Sequence, residues 1–110
     1  MPGSDLFTGT LDLLVLRALQ GGALHGYAIG RWIRETSDAL LEIEEGALYP
    51  ALHRLERRGL IDSDWGQTEL NRQAKFYRLT GAGRRMLKAE RARWESYARG
   101  VMLVLDAEAQ

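Results

Sequence analysis

The sequence of 110 residues fits one small domain and leaves no room for a separate catalytic domain. It contains no cysteine, which excludes disulfide scaffolds, cysteine zinc sites and thiol catalysis. The formal net charge is zero, whereas nucleic-acid binders usually carry a basic surplus. No signal-peptide pattern and no membrane-spanning apolar run is present in the sequence, so we expect a cytoplasmic protein that does not contact membranes.

A first helix is predicted near the N-terminus. Residues 1–9 are expected to form an N-terminal arm, and Thr10 to cap a helix that ends at Gly21. Five apolar residues follow the spacing of one helix face: Leu11, Leu14, Val15, Ala18 and Leu19. Leu13 and Leu16 are apolar on a second face, so this helix should be covered on two sides.

Two further helices are predicted before the middle of the chain. The second runs from about residue 25 to 36, and the third from about 46 to 58, where Gly59 stops it. The alternation of apolar and acidic residues at 41–43 suggests a very short strand between them. Trp32 lies off the inward stripe of the second helix, and it is either partly exposed or a cap on the first helix.

The apolar period then changes from helical spacing to alternation. Residues 60–65 and 75–79 are predicted as strands, and the polar stretch 66–74 as the hairpin loop that joins them. Thr80 is the predicted N-cap of a last helix from 81 to about 105.

This order of elements predicts an α+β fold, mostly α, of the winged helix-turn-helix type. The DNA-binding domain should span residues 10–80 and contain three helices and a wing of two or three strands. Residues 81–110 should form a long C-terminal dimerisation helix.

The segment from Glu45 to Ile61 resembles the recognition helix and following strand of PadR-family regulators. Its most specific part is Gly46-Ala47-Leu48-Tyr49-Pro50-Ala51-Leu52. Three more pieces agree in order and spacing: Leu14 to Leu19, His25-Gly26-Tyr27 and Phe76 to Thr80. The match covers residues 10–105, and the single last helix is similar to that of the short-tailed subgroup.

The resemblance implies a homodimeric repressor that binds a palindromic operator in double-stranded DNA. A small effector, often aromatic, is expected to release it. By position, Tyr49 is the implied phosphate contact, and Arg72 and Lys75 are the implied wing contacts. Glu44 and Glu45 precede the recognition helix at a place where a serine or proline would suit many relatives. Two carboxylates there favour the helix dipole but repel phosphate.

Helical spacing adds further candidates for DNA contact. Five residues lie off the apolar stripe of the third helix and should face outward: Gly46, Tyr49, His53, Arg54 and Arg57. Arginine grips guanine through two hydrogen bonds, and histidine or tyrosine reaches bases or phosphates. The alternative is an ordinary solvated helix face.

The last helix carries a second candidate surface. Its apolar stripe and the second face of the first helix predict a dimer interface of Leu13, Leu16, Leu87, Trp94, Tyr97, Val101 and Val104. Trp94 and Tyr97 are either part of a packed dimer core or a stacking surface for a ligand.

Other function classes receive little support. His25 and His53 lie on different helices, so no metal site is expected, and no cofactor or catalytic motif accompanies the acidic pairs, so we expect no enzyme. The rival function is a winged-helix protein-interaction module without DNA binding. The zero net charge and the Glu44-Glu45 pair favour that rival.

Overall fold

The computed structural model describes residues 2–109, with side chains from residue 9 onward. Within that range the chain forms four α-helices, one short 3-10 turn and three strands. In chain order these are α1 (Pro2–Ala18), the 3-10 turn (Leu19–Gly21), β1 (Leu24–His25), α2 (Gly26–Thr36), α3 (Glu45–Arg57), β2 (Ile61–Gln67), β3 (Gln73–Leu79) and α4 (Gly81–Leu105).

Helix α1 lies at the centre of the helical layer and packs against α2, α3 and α4. It begins at Pro2, so the prediction that Thr10 caps it was wrong, and residues 2–9, expected to be an arm, are helical. A glycine or threonine inside a helix costs only about 1 kcal/mol or less, so Gly9 and Thr10 do not stop it.

The core fills the space between α1, α2, α3 and the sheet. Its largest fully buried side chains are Leu16, Ile29, Leu52, Leu55, Ile61 and Val15. Ile29 and Ile33 of α2 face inward as predicted. Trp32 is partly buried and packs against this core, while the Arg17 guanidinium lies 5.3 Å from the centre of its ring. Trp32 is therefore both partly exposed and a cover for the end of α1.

The sheet has the strand order β1-β3-β2, and both pairings are antiparallel. The β2–β3 hairpin runs in register from Ile61 opposite Leu79 to Gln67 opposite Gln73, which confirms the predicted wing. Strand β1 adds two residues, with Leu24 opposite Tyr77. It supplies the third strand of the wing.

The strand predicted at residues 41–43 is absent, because the chain curls at that place. Asp38 and Ala39 adopt the left-handed conformation, with φ of 53° and 62°. The Ser37 hydroxyl then accepts from the Leu41 N–H at 3.0 Å. After this turn, residues 41–43 pair with no strand of the sheet.

Helix α4 begins as predicted at its threonine cap. Thr80 Oγ1 accepts from the Gly83 N–H at 3.0 Å and donates to the Gly59 carbonyl at 2.7 Å. A Cβ at Gly83 would collide with the carbonyl oxygen of Leu60, so the start of α4 packs directly on the chain before the wing. Its far end projects and gives the molecule a length of 61 Å against 28 and 26 Å. No described helix is long and apolar enough to cross a membrane.

Candidate nucleic-acid interface

The outward face of α3 is the first part of the candidate site. Four buried side chains fix its inner face: Leu48, Ala51, Leu52 and Leu55. Four of the five residues predicted on this helix are exposed: Gly46, Tyr49, His53 and Arg57. A helix that presents cationic and hydrogen-bonding side chains on one face has the form that the major groove of DNA accepts.

Arg54, the fifth predicted contact on α3, lies on the flank of the helix. Its Nη2 donates to Oδ1 of Asp12 on α1 at 2.8 Å. Both side chains are partly buried, so salt screens this ion pair less than it screens a surface pair. Base contact by Arg54 would compete with this pair, and Arg57 is therefore the better candidate for reading guanine. No local sequence signal links residues that lie this far apart in the chain.

Tyr49 is held in place by the glycine that begins α2. A Cβ at Gly26 would lie 2.6 Å from the phenol oxygen of Tyr49, so only glycine admits this ring position. His25 caps the same helix end, because its Nδ1 accepts from the Ala28 N–H at 3.4 Å. The His25 ring also meets Phe76 edge-on, with ring centres 5.2 Å apart. The His25-Gly26 pair thus joins α2 to both the wing and the recognition helix.

On the outer face of the wing, the basic side chain pairs with acidic residues of the wing itself. Arg78 Nη2 donates to Oδ2 of Asp64 at 2.8 Å, and Arg78 Nε lies 3.0 Å from Oδ1 of Asp62. The hydrogen bond to Asp64 and the charges of both aspartates raise the pKa of Arg78 above its ordinary value. Two carboxylates already balance the positive charge of this arginine, so it is a poor candidate for phosphate contact.

On the inner face of the wing, by contrast, the cations have no acidic partner among the described residues. The register places Lys75 opposite Trp65 on this face, and Arg72 lies where the chain leaves the hairpin turn. Arg72 and Lys75 are exposed, and neither forms an ion pair with another residue of the described chain. The two predicted wing contacts are therefore available to an anion.

A cleft of about 740 Å³ separates the inner face of the wing from α2 and α3. Tyr49, Arg72 and Lys75, all predicted from the sequence, line it. Among the other lining residues, Tyr27, Arg31 and Trp65 were not predicted as DNA contacts. Trp65 could have indicated this cleft from the sequence. A tryptophan on a strand that extends beyond the core has few apolar neighbours to bury it, so an exposed aromatic surface is expected there.

Tyr77 lies at the inner end of this cleft and is buried. Its burial raises the pKa of the phenol above its ordinary value of 10.0, and the nearby Glu56 and Tyr49 raise it further. The Tyr77 hydroxyl is therefore neutral at physiological pH.

Carboxylates interrupt the positive surface at the start of α3. Glu44 occupies the N-cap position, but its side chain accepts no hydrogen bond from the helix. Glu44 and Glu45 are both exposed. Phosphate approach at this end of α3 is therefore opposed by two negative charges.

The arrangement of α3, the wing and α4 agrees with comparison to known proteins. The model of the transcriptional regulator PadR-like family matches residues 15–89. The chain belongs to this family. This confirms the predicted family and the winged helix-turn-helix fold class.

Several relatives of this PadR-like chain are transcriptional regulators. One from Mycobacterium tuberculosis is 39% identical over 74 residues, which are 66% of this chain and 68% of that protein. The structure of a regulator from Clostridium thermocellum is 34% identical, with a TM-score of 0.80 over 88% of this chain and 94% of the other. A PadR-family regulator from Eggerthella lenta is 35% identical, with a TM-score of 0.76 over 94% and 88%. Family and neighbours are regulators and not enzymes.

The residues predicted for a dimer interface of the PadR-like chain fall into two groups. Leu16 and Leu87 are buried in the core of their own chain, and Leu13 packs against that core. Leu16 and Leu87 therefore have almost no surface left for a second copy. Four members stay exposed on the projecting part of α4: Trp94, Tyr97, Val101 and Val104.

Trp94 and Tyr97, the predicted ligand contacts, are neighbours on α4. Their ring centres are 5.9 Å apart, with the ring planes tilted by 36°. Together with Leu13 they line a hollow of about 260 Å³ between α1 and α4. In the single chain this hollow is open to solvent.

Proposed function

We propose that this PadR-like chain is a cytoplasmic, homodimeric repressor that binds a palindromic operator in double-stranded DNA. One observation carries the proposal: Tyr49 of the recognition helix and the exposed cations Arg72 and Lys75 of the wing line the same cleft. Arg57 is exposed in the last turn of the same helix. This arrangement suits a protein that places a helix in the major groove and lets the wing follow the adjacent backbone.

The residues then divide by role. Arg57 and His53 would contact base edges, and Gly46 would let the backbone of α3 approach them closely. Tyr49 would donate to a phosphate, held in position by its packing on Gly26. Arg72 and Lys75 would contact the minor groove or its phosphates, which positions the protein and carries little sequence information.

The projecting part of α4 supports dimer formation. Trp94, Tyr97, Val101 and Val104 are between 38% and 75% exposed on this helix. A contiguous apolar surface on a small protein usually marks an interface. A second copy that packs along α4 would bury it and set the distance between the two recognition helices.

Release by a small aromatic or otherwise apolar ligand would use the same region. An indole offers a broad face for stacking, and Trp94 and Tyr97 lie side by side. A ligand wedged between the two α4 helices would change the distance between the recognition helices. Operator half-sites lie a fixed helical repeat apart, so such a change would weaken DNA binding.

A protein-interaction module without DNA binding is the second candidate. The net charge of zero favours it, as do the exposed carboxylates of Glu44 and Glu45 at the start of α3. Such a module would use the same exposed helix face for a protein partner. Binding to random duplex would then be absent or independent of salt.

The deciding experiment measures binding to random duplex and to duplexes selected from a random library, over a range of salt concentrations. A DNA-binding protein must show a steep fall of affinity with salt. Arg57→Ala should cost about 1–3 kcal/mol on selected duplexes and much less on random ones. Lys75→Ala should weaken both about equally and reduce the salt slope by about one.

The matched control is Lys88→Ala, which removes an exposed lysine on α4, away from the cleft. It should leave both affinities unchanged. If Arg57→Ala weakened binding to random and selected DNA equally, the assignment of base contact to Arg57 would be wrong.

A further inference from the structure

The ion pair between Arg54 and Asp12 connects the recognition helix to α1. Arg54 Nη2 donates to Oδ1 of Asp12 at 2.8 Å. The other ion pairs of the described chain lie within α4, within the wing, or between α2 and the loop that follows it. Both α1 and α3 bury several apolar side chains in the common core, so their packing does not depend on this pair. The pair can therefore act on DNA binding without being needed for the fold.

The position of Arg54 on α3 brings it to the edge of the surface that a duplex would meet. Its side chain is 39% exposed, and it lies one turn before the exposed Arg57. An α-helix with its side chains is about 10–12 Å across, and the major groove is about 12 Å wide. A helix seated in the groove therefore has its flanks against the sugar-phosphate walls. A free arginine on such a flank would reach a phosphate.

Asp12 offers Arg54 the same chemistry that a phosphate offers. Carboxylates and phosphates both accept charge-assisted hydrogen bonds from a guanidinium. The Asp12 side chain is only 23% exposed, so salt weakens this pair less than it weakens a pair on the open surface. A phosphate contact by Arg54 therefore has to be made at the expense of its bond to Asp12.

Other charges near this pair would not replace Asp12. Asp12 borders a small hollow together with one other acidic residue, Glu90, whose Oε2 already accepts from Arg93 at 2.9 Å. The neighbours of Arg54 on α3 are cations, because Arg57 follows it by three positions and Arg58 by four. Like charges at these spacings repel each other. Without Asp12, the Arg54 side chain would therefore turn away from its neighbours and toward solvent or a phosphate.

We propose that Asp12 is a positioning residue that lowers the sequence-independent affinity for DNA by occupying Arg54. Phosphate contacts strengthen binding to every duplex, whereas contacts with base edges distinguish sequences. Asp12 withholds one phosphate contact and leaves the exposed base-reading residues of α3 unchanged. It acts through Arg54 and does not itself touch DNA. The inference rests on the proposed function, because it concerns how strongly the same surface binds a duplex.

The test measures the anisotropy of a labelled random duplex with the full chain over a range of salt concentrations. Asp12→Ala should raise the affinity by about three- to tenfold, which one added phosphate contact supplies through counterion release. It should also steepen the salt slope by about 0.9. Asp12→Glu keeps the charge and should stay close to wild type. A merely structural role of Asp12 would instead lower the affinity.

Two controls separate this effect from a general change in charge. Glu90→Ala also removes an acid that holds an arginine, but on α4, and should leave the salt slope unchanged. The second control is Asp12→Ala in an Arg54→Met background, where the gain should disappear. Arg54→Met alone should change the affinity for random duplex less than Lys75→Ala does, because Arg54 is already occupied. This single variant gives an independent reading if Asp12→Ala does not fold.

Three results would overturn the role of Asp12: an unchanged affinity in Asp12→Ala, a lower one, or an equal gain in the Arg54→Met background. With a wild-type chain that binds duplex, any of these leaves the proposed function standing. A wild-type chain that binds no duplex, beside an Asp12→Ala variant that binds through Arg54, would refute the proposed function and support the role of Asp12. The absence of duplex binding in both would refute the two together.

Discussion

The two halves of α4 differ in what covers them, although both carry apolar residues at helical spacing. In the first half, Gly83 and Leu87 are buried against the chain's own core. In the second half, Val101 to Leu105 are all exposed, and the helix is apolar around its whole circumference there. A helix that is apolar on all sides is normally surrounded by protein. An apolar stripe therefore indicates that a surface is covered, but it does not indicate which chain covers it.

The largest change in stability should come from a substitution in the buried half of α4. Leu87→Ala should lower the free energy of unfolding by about 2–5 kcal/mol, because it removes buried methyl groups and leaves a cavity. Denaturant unfolding at several protein concentrations would measure this loss, which should not depend on concentration. The neighbouring exposed change Lys88→Ala should have little effect. A loss that disappears on dilution would mean that Leu87 belongs to an interface between copies.

A substitution in the projecting half should have a smaller effect, and it should change the dimer dissociation constant. Val104→Asp should raise the dimer dissociation constant on the order of 10- to 100-fold, because it places a charge in the proposed apolar interface. Analytical ultracentrifugation at micromolar concentration would detect the change. Ala92→Asp makes the same change in charge on the opposite, solvent-facing side of α4 and should leave the dimer intact. Equal effects of both variants would contradict the proposed interface.

The smallest effect concerns local support for the projecting half. Arg91 Nε donates to Oε2 of Glu95 at 3.2 Å, and both side chains are well exposed. Glu95→Ala should destabilise the helix by only about 0.2–0.5 kcal/mol, and high salt should remove the difference. Hydrogen exchange should show faster opening in the second half of α4 and no change around Leu87. A change that spreads through both halves would show that α4 is stabilised as one unit.

Helices α2, α3 and α4 and the β2–β3 hairpin were predictable because each carries its own periodicity and its own start or stop residue. Gly59 and Thr80 are examples, since their roles depend on nearby residues alone. The missed features depend on chain segments that meet only in the tertiary structure.

Three features of the structure illustrate this limit. The pairing of Arg54 with Asp12 joins α3 to α1 and has no local signature. Trp65 and Arg31 border one cleft because the wing folds back toward α2. Leu87 was assigned to a dimer, since periodicity alone does not distinguish a chain's own core from a partner. The structure places it in the core of its own chain.

Strand β1 is only two residues long, yet its pairing joins two distant parts of the chain. Strands β2 and β3 are adjacent in the chain, so their hairpin closes a short loop and forms quickly. Strand β1 pairs with β3 across most of the domain, with Leu24 opposite Tyr77, and this pairing has to wait until the helices have brought the segments together. We therefore expect the edge that holds the wing against the helices to be among the last parts of the domain to form. Brief opening there would let the wing swing while the helical core stays folded.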